Sequence, residues 1–139
     1  MRLGITTPFA TVLRTDEAVH IRAEDASGAF GILQRHADFL TVLSVSVLTW
    51  QDMRGGEHYV ALRGGMLLVR DGGSVSIATP EAVAGEDLHS LETDVLARFQ
   101  RHVDEERAAR TAAQRLQLAA IRQIMRLLRP EPAHAPTLG

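Results

Sequence analysis

The chain of 139 residues is 45% hydrophobic and 23% charged, which allows one folded domain with a small appendage. Its formal net charge of −2 argues against nucleic acid as the main partner, because duplex-binding proteins concentrate positive charge on one surface. Cysteine and lysine are both absent, which excludes disulfides, zinc–thiolate sites, Schiff bases and lysine-dependent phosphate loops.

The sequence carries no clear membrane or export signal. No apolar run of about 7–15 residues follows Arg2, so no signal peptide is expected. No window approaches the roughly 20 apolar residues of a spanning helix. We therefore expect a soluble, cytoplasmic chain, which could still be held on a membrane complex.

Glycine and proline divide the sequence into two parts. Ten of the eleven glycines lie at or before Gly85, and no proline lies between Pro80 and Pro130. Turn-forming residues thus fill residues 1–85 and are absent from residues 86–129. This distribution predicts an α+β protein in which a β domain is followed by a helical one.

Residues 1–85 show the period-2 alternation of half-buried strands. The apolar positions fall in three runs: Val19, Ile21 and Ala23; Leu43, Val45 and Val47; Val75 and Ile77. The alternation places Ser44 and Ser46 on the outer face of their strand. Glycine pairs predict hairpin turns at 54–56 and 70–73, and Gly64–Gly65 predicts a bulge or bend. Eight to ten short strands at this spacing indicate an antiparallel β-sandwich or a flattened barrel.

Residues 86–129 have the pattern of helices. Glu86 and Asp87 suit a helix N-terminus, and apolar residues then recur at helical spacing up to Val103. Thr111 followed by Gln114 resembles a capping box, which predicts a helical hairpin bent between about 105 and 111. One continuous helix of about 40 residues is the alternative. Proline-rich residues 130–139 are expected to be disordered.

The last part of the helical region combines a basic stripe with a wide apolar arc. Six arginines and no acidic residue lie between Arg107 and Arg129. On a helix, four of these arginines fall within an arc of about 60°, namely Arg115, Arg122, Arg126 and Arg129. Apolar residues of the same segment fill about 200° of the remaining circumference. Two interpretations stay open, a solvated basic face or a docking stripe for an acidic partner.

No motif for catalysis or metal binding is present. The six histidines lack the close spacing of metal-ligand pairs, and they are His20, His36, His58, His89, His102 and His134. No nucleophile elbow occurs, and the glycine pairs do not open helices as a phosphate cradle must. We expect a non-catalytic protein without a metal or cofactor.

Two segments of the chain resemble the epsilon subunit of F-type ATP synthases. The first matches the pattern G-x-F/L-G-I-x-x-x-H-A-x-x-L-T-x-L and reads Gly28-Ala-Phe-Gly-Ile-Leu-Gln-Arg-His-Ala-Asp-Phe-Leu-Thr-Val-Leu43. The second, residues 62–85, is similar to the family's G-G-x-L-x-V-x-x-x-x-V-x-I-x-A run. The sequences of residues 36–43 and 127–130 resemble the divergent epsilon subunit of alternate, N-type ATPases more than that of the housekeeping enzyme.

The resemblance implies a non-catalytic rotor subunit that couples the gamma subunit to the c-ring in proton- or sodium-driven ATP synthesis and hydrolysis. It implies a gamma and c-ring interface at Gly28, Phe30, Gly31, His36 and Asp38. The helical hairpin would act as an inhibitory arm whose arginines meet acidic segments of the beta subunits. The chain would lie on the cytoplasmic face of the bacterial inner membrane, held there by the complex and not inserted itself.

The chain departs from the family pattern in places, and other functions compete. Some family members bind ATP through an aspartate and an arginine at the start of the first helix, where this chain has His89 and Glu92. Nucleotide binding is therefore not expected. The competing hypotheses are a small-ligand or metal-binding β-barrel with a dimerising helical tail, and an adaptor that applies its basic helix to acidic protein or RNA.

Overall fold

The computed structural model describes residues 1–128, so Arg129 and the tail at 130–139 lie outside the described residues. Residues 1–103 form one compact unit, and a second unit begins at Asp104. The described residues contain eight strands: β1 Arg2–Thr6, β2 Thr11–Thr15, β3 Ala18–Asp25, β4 Gly28–Leu33, β5 Phe39–Asp52, β6 Glu57–Arg70, β7 Ser74–Ala78 and β8 Ala82–Gly85. The predicted β-sandwich is thereby confirmed.

The strands form two layers that share their two longest members. The order is β2-β1-β7-β6-β5-β3-β4, with β8 also paired to β6. Residues 66–70 of β6 pair with β7 in the first layer, whereas residues 59–62 pair with β8 in the second. Strand β5 follows β6 through both layers. Pairing is antiparallel except between β1 and β7, which are parallel and are far apart in sequence, as parallel strands must be.

Gly64 and Gly65 make the bend that lets β6 change layers. The β5–β6 ladder is interrupted between Leu43↔Gly65 and Val45↔Arg63, at Ser44 and Gly64, without a change of register. Both glycines have positive φ, 74° and 121°. A Cβ on Gly65 would lie 2.3 Å from the carbonyl oxygen of Ala78. The predicted bend is confirmed, and only glycine fits there.

Because of the same bend, the two faces of β5 carry other side chains than the sequence predicted. Leu43 lies in the core between the layers, but Val45 and Val47 point to the opposite side and pack in a second cluster. Ser46 is buried and its hydroxyl donates to the carbonyl of Ser44 at 2.8 Å. The prediction that Ser46 lies outside was wrong, because β5 bends together with β6 as it changes layers, and its core-facing positions change there from Leu43 to Ser46 and Leu48.

A similar irregularity affects β3. Ile21 and Ala23 are buried as predicted, but Val19 is 39% exposed. The register with β5 shifts between Ala18 and His20, and Ala18 is buried in the place expected for Val19. The alternation in β7 is confirmed, since Val75 and Ile77 are both buried.

The helical region begins with a capped turn packed on the sandwich. It consists of α1 Leu88–Ser90, a π-helical turn Leu91–Val95 and α2 Leu96–Leu128. The Asp87 carboxylate accepts from the His89 amide at 3.0 Å and from the Ser90 hydroxyl at 2.8 Å. The Ser90 hydrogen bond is the main reason that the pKa of Asp87 lies below its ordinary value.

We call residues 88–99 the helix root. Its buried side chains, Leu91 and Phe99, form the second cluster with Ala61, separately from the sandwich core. Half-buried side chains from the outer face of the second layer complete this cluster: Val45, Val47, Tyr59 and Val83. The helix root therefore covers that outer face.

Helix α2 runs without interruption through residues 105–111, so the predicted bend is not seen there. The Thr111 hydroxyl donates to the Arg107 carbonyl at 3.0 Å, one turn back within the helix, and does not cap a new one. No glycine or proline forces a break, and the structure has the continuous helix that the sequence left as the alternative. Within residues 1–128, no helix has the length and apolar character needed to span a membrane.

Candidate partner-docking surfaces

The first candidate surface is the loop between β4 and β5, with the turn before it. In the β3–β4 turn, Asp25 accepts from the Ser27 amide at 2.9 Å and from the Thr41 hydroxyl at 2.7 Å. The Ser27 hydroxyl also donates to Asp25, and this bond is the main reason that the pKa of Asp25 lies below its ordinary value. Gly28 follows with φ 117°, a conformation that other residues rarely adopt.

Residues 34–38 are fixed against the β6–β7 turn. The Arg35 amide donates to the Gly72 carbonyl at 2.6 Å, and the Asp71 amide donates to the Asp38 carboxylate at 3.1 Å. His36 is braced within the loop, since its Nδ1 lies 2.7 Å from the Ala37 carbonyl oxygen. The loop thus presents a defined surface.

Phe39 joins two of the predicted interface residues. Its ring lies 5.6 Å from that of Phe30, edge to face, and 6.0 Å from that of His36. Gly31 leaves room for a neighbour, because a Cβ there would lie 3.0 Å from Nε2 of His20. Gly28 stands at the other end of β4, about 17 Å along the strand from Leu33. The structure therefore groups Phe30 and His36, and sets Gly28 apart.

The sequence interpretation missed a second surface, on the outer face of the first layer. Leu40, Val42 and Met66 are 58%, 67% and 49% exposed, and Leu68 lies beside them. Val42 pairs with Met66, and Leu40 with Leu68, so the four side chains stand together on β5 and β6. We call these four residues the open apolar face.

A shallow groove of about 350 Å³ borders the open apolar face. Its floor includes small residues of the neighbouring strands: Gly4, Thr6, Ser76 and Ala78. The signal was visible in the unbroken apolar run from Met66 to Val69, because strands apolar on both sides are usually covered on both. Contiguous exposed apolar surface of this kind marks interaction sites.

The third surface lies on α2 beyond residue 103. Arg115, Arg122 and Arg126 are exposed, while the predicted Arg129 lies outside the described residues. Apolar side chains of the same segment are exposed as well, from 44% for Ile121 to 77% for Leu127. Helices in proteins are stabilised mostly by packing of an apolar face, so this face suits a partner surface.

His58 pairs with a carboxylate at the β5–β6 hairpin. His58 Nε2 lies 2.7 Å from Asp52 Oδ2, and the His58 ring stacks on Trp50 at 4.1 Å. Asp52 also accepts from the amides of Arg54 and Gly56, each at 2.9 Å. The pair thus braces the turn. Among residues 1–128, no three His, Asp or Glu side chains are grouped as a metal site would require.

Residues 1–85 match the family described as the ATP synthase Delta/Epsilon chain, β-sandwich domain. The chain is 41% identical over 135 residues to "ATP synthase epsilon chain 2" of Paraburkholderia xenovorans (strain LB400), which covers 97% of both chains. It is 42% identical over 132 residues to the protein of the same name from Cereibacter sphaeroides, covering 95% of this chain and 90% of that one.

Two solved assemblies contain a similar fold. A chain in the OSCP/F1/c-ring part of the Euglena gracilis mitochondrial ATP synthase aligns with a TM-score of 0.57 at 25% identity, over 76% of this chain and 62% of that one. A chain in the central stalk and c-ring of the Tetrahymena thermophila enzyme aligns with a TM-score of 0.53 at 17% identity, over 74% and 90%, and shows the fold alone. On the family match and the two long alignments above 40% identity, the chain belongs to the ATP synthase epsilon chain family.

Proposed function

We propose that this chain is a non-catalytic rotor subunit of the central stalk of an F-type ATP synthase. It couples the gamma subunit to the c-ring in proton- or sodium-driven ATP synthesis and hydrolysis. The observation that carries this proposal is the 41% identity to an ATP synthase epsilon chain over 97% of both proteins. The alternative of a small-ligand or metal-binding barrel is not favoured, because the relatives of this chain are named as ATP synthase epsilon chains.

The open apolar face is the proposed main contact with gamma. The opposite outer face is already occupied by the helix root, through Leu91 and Phe99. Covering Leu40, Val42 and Met66 would remove large apolar side chains from water, at about 1.5–3 kcal/mol for each one fully buried. Part of that gain offsets the entropy lost on association.

The loop at 28–38 is the proposed continuation of this interface toward gamma and the c-ring. Phe30 and His36 flank Phe39, which adjoins Leu40 of the open apolar face at the start of β5. Asp38 is held by the β6–β7 turn, and Gly28 and Gly31 supply backbone shapes that side chains would disturb. The braced loop would lose little freedom on binding, which favours a lasting contact.

The arm beyond residue 103 is proposed to regulate ATP hydrolysis by docking on acidic segments of the beta subunits. Support comes from the absence of acidic residues between Arg107 and Arg129 and from the exposed apolar face beside the arginines. Guanidinium groups bind carboxylates in pairs of parallel hydrogen bonds, which suits such a contact. Arg115, Arg122, Arg126 and Arg129 are the residues assigned to it.

Other parts of the assignment follow from the family. The chain is proposed to lie peripherally on the cytoplasmic face of the bacterial inner membrane, without cofactor or metal. We keep the division into residues 1–85, 86–129 and 130–139 as the functional one. His89 and Glu92 are both exposed at the positions where some relatives bind nucleotide, so no nucleotide is assigned. The subgroup proposed is the alternate N-type enzyme.

Co-purification with gamma tests the rotor role. Tagged full-length chain, expressed in its own organism, should bring down gamma from detergent-solubilised membranes. Val42→Glu places a charge on the open apolar face and should reduce the gamma recovered at least tenfold, because burying an unpaired carboxylate is costly. Met53→Glu is the matched control, since Met53 is 69% exposed on the β5–β6 turn. Wild-type chain that recovers no gamma would refute the proposal.

A further inference from the structure

The turn between β1 and β2 presents an aromatic side chain that the fold does not use. Phe9 is 96% exposed, the highest value among the exposed large apolar residues of the described chain. Exposed aromatics on loops are ordinary when the loop is loose, because the ring can turn toward the protein. The turn that holds Phe9 is not loose.

Thr7 fixes this turn from both ends. Its amide donates to the Ala10 carbonyl at 2.8 Å, and its hydroxyl oxygen accepts from the Phe9 and Ala10 amides at 3.3 and 3.2 Å. Pro8 precedes Phe9, and its ring restricts the backbone further. The phenyl ring is therefore held out on a braced backbone, and its binding would cost little backbone entropy.

The turn rises from the groove beside the open apolar face. Thr6 and Thr11 flank it, and both line the groove together with Leu40 and Met66. Phe9 thus extends the exposed apolar surface formed by the open apolar face. Arg14 lines the groove, but residues 6–12 carry no cationic side chain, whereas segments that bind lipid surfaces usually carry a cluster of basic residues.

We propose that Phe9 is the anchor residue of the interface with the gamma subunit, and that its ring inserts into an apolar cavity on that subunit. The inference rests on the proposed rotor function and deepens it. A single aromatic seated in a desolvated pocket can dominate an interface, and Phe side chains carry 150–250 Å² of contact area. A gamma subunit that has a polar surface, or no cavity, opposite Phe9 would therefore bind this chain weakly.

The test is a titration of purified gamma subunit from the same organism with full-length chain. Phe9→Ser should raise the dissociation constant about 10- to 100-fold, the equivalent of losing one buried phenyl ring. Met53→Ser is the matched control and should leave the constant unchanged, because Met53 is also largely exposed in a turn. Both variants should unfold at the wild-type temperature, since neither side chain is packed.

The outcomes separate the two proposals. If wild type and Phe9→Ser bind gamma equally well, the anchor is refuted and the rotor role stands. If wild type itself does not bind gamma, the rotor role fails as well. If Phe9→Ser keeps its affinity for gamma but loses binding to phosphatidylglycerol vesicles, Phe9 is a membrane contact and the anchor is refuted. Retained affinity in Phe9→Trp supports the anchor.

Discussion

Replacing Phe99 with alanine should release the helix root and leave the sandwich folded. Phe99 is fully buried, and its cluster with Leu91 and Ala61 is separate from the sandwich core. Phe→Ala substitutions at buried sites cost about 3–5 kcal/mol. That cost should fall on docking of the helix root, because the core between the two layers does not include Phe99.

Native-state hydrogen exchange measures this docking directly. A loss of 3–5 kcal/mol corresponds to a rise of about 100- to 5,000-fold in the opening constant of the docked segment. Amides of residues 91–103 should therefore exchange faster by up to that factor in Phe99→Ala. Amides of the core strands, such as Leu67 and Ile77, should keep their wild-type rates.

The matched control is Leu116→Ala in the same helix. Leu116 is 73% exposed, so its truncation should change stability by less than about 0.5 kcal/mol. If Phe99→Ala accelerates exchange in Leu67 and Ile77 as much as in the helix root, the two clusters form one cooperative unit. That result would refute the separation argued from the packing.

Three further expectations can be checked by denaturation or by ATPase assay. Gly65→Ala should lower the unfolding free energy by at least about 2 kcal/mol, because its Cβ would lie 2.3 Å from the Ala78 carbonyl oxygen. Gly4→Ala is the control and should be nearly neutral, because its Cβ would have nothing within 4 Å. Equal urea midpoints for the two variants would contradict this expectation. The hydrogen bond from His58 lowers the pKa of Asp52 below its ordinary value, so this carboxylate stabilises the fold above about pH 4, and the contribution is lost as the pH falls through the lowered pKa. Asp52→Asn should therefore flatten the decline in stability between pH 5 and about pH 2, and an unchanged acid limb would count against the pairing. Changing Arg115, Arg122 and Arg126 together to alanine should weaken the proposed inhibition of ATP hydrolysis by the reconstituted chain. The helix content measured by circular dichroism should stay unchanged. Full inhibition by this variant would favour a solvated basic face.

The sequence was sufficient for the order of the fold, because glycine and proline act locally. Turns at 54–56 and 70–73 and the bend at Gly64–Gly65 need backbone shapes that few other residues adopt, so their positions could be predicted. The capped start at Asp87 was predictable for the same reason, since its carboxylate accepts from the His89 amide and the Ser90 hydroxyl, two and three residues away in sequence.

What the sequence could not supply depends on contacts between distant residues. Ser46 is inside because β5 follows the bend of β6 at Gly64 and Gly65, and no local pattern in β5 marks that change of face. Thr111 suggested a second helix start, but its hydroxyl bonds within a continuous helix, and the two alternatives differ little in local energy. The open apolar face required knowledge of which outer face the helix root covers, and that is a tertiary fact.

The passage of β5 and β6 through both layers has a mechanical consequence. A sideways load applied at Val42 reaches the strand segments beneath the helix root along continuous peptide bonds, because each strand crosses from one sheet to the other as a single 14-residue piece. Torque is thus borne by covalent chain and cross-strand hydrogen bonds pulled in shear, and sliding of one sheet over the other is resisted at every turn of the rotor.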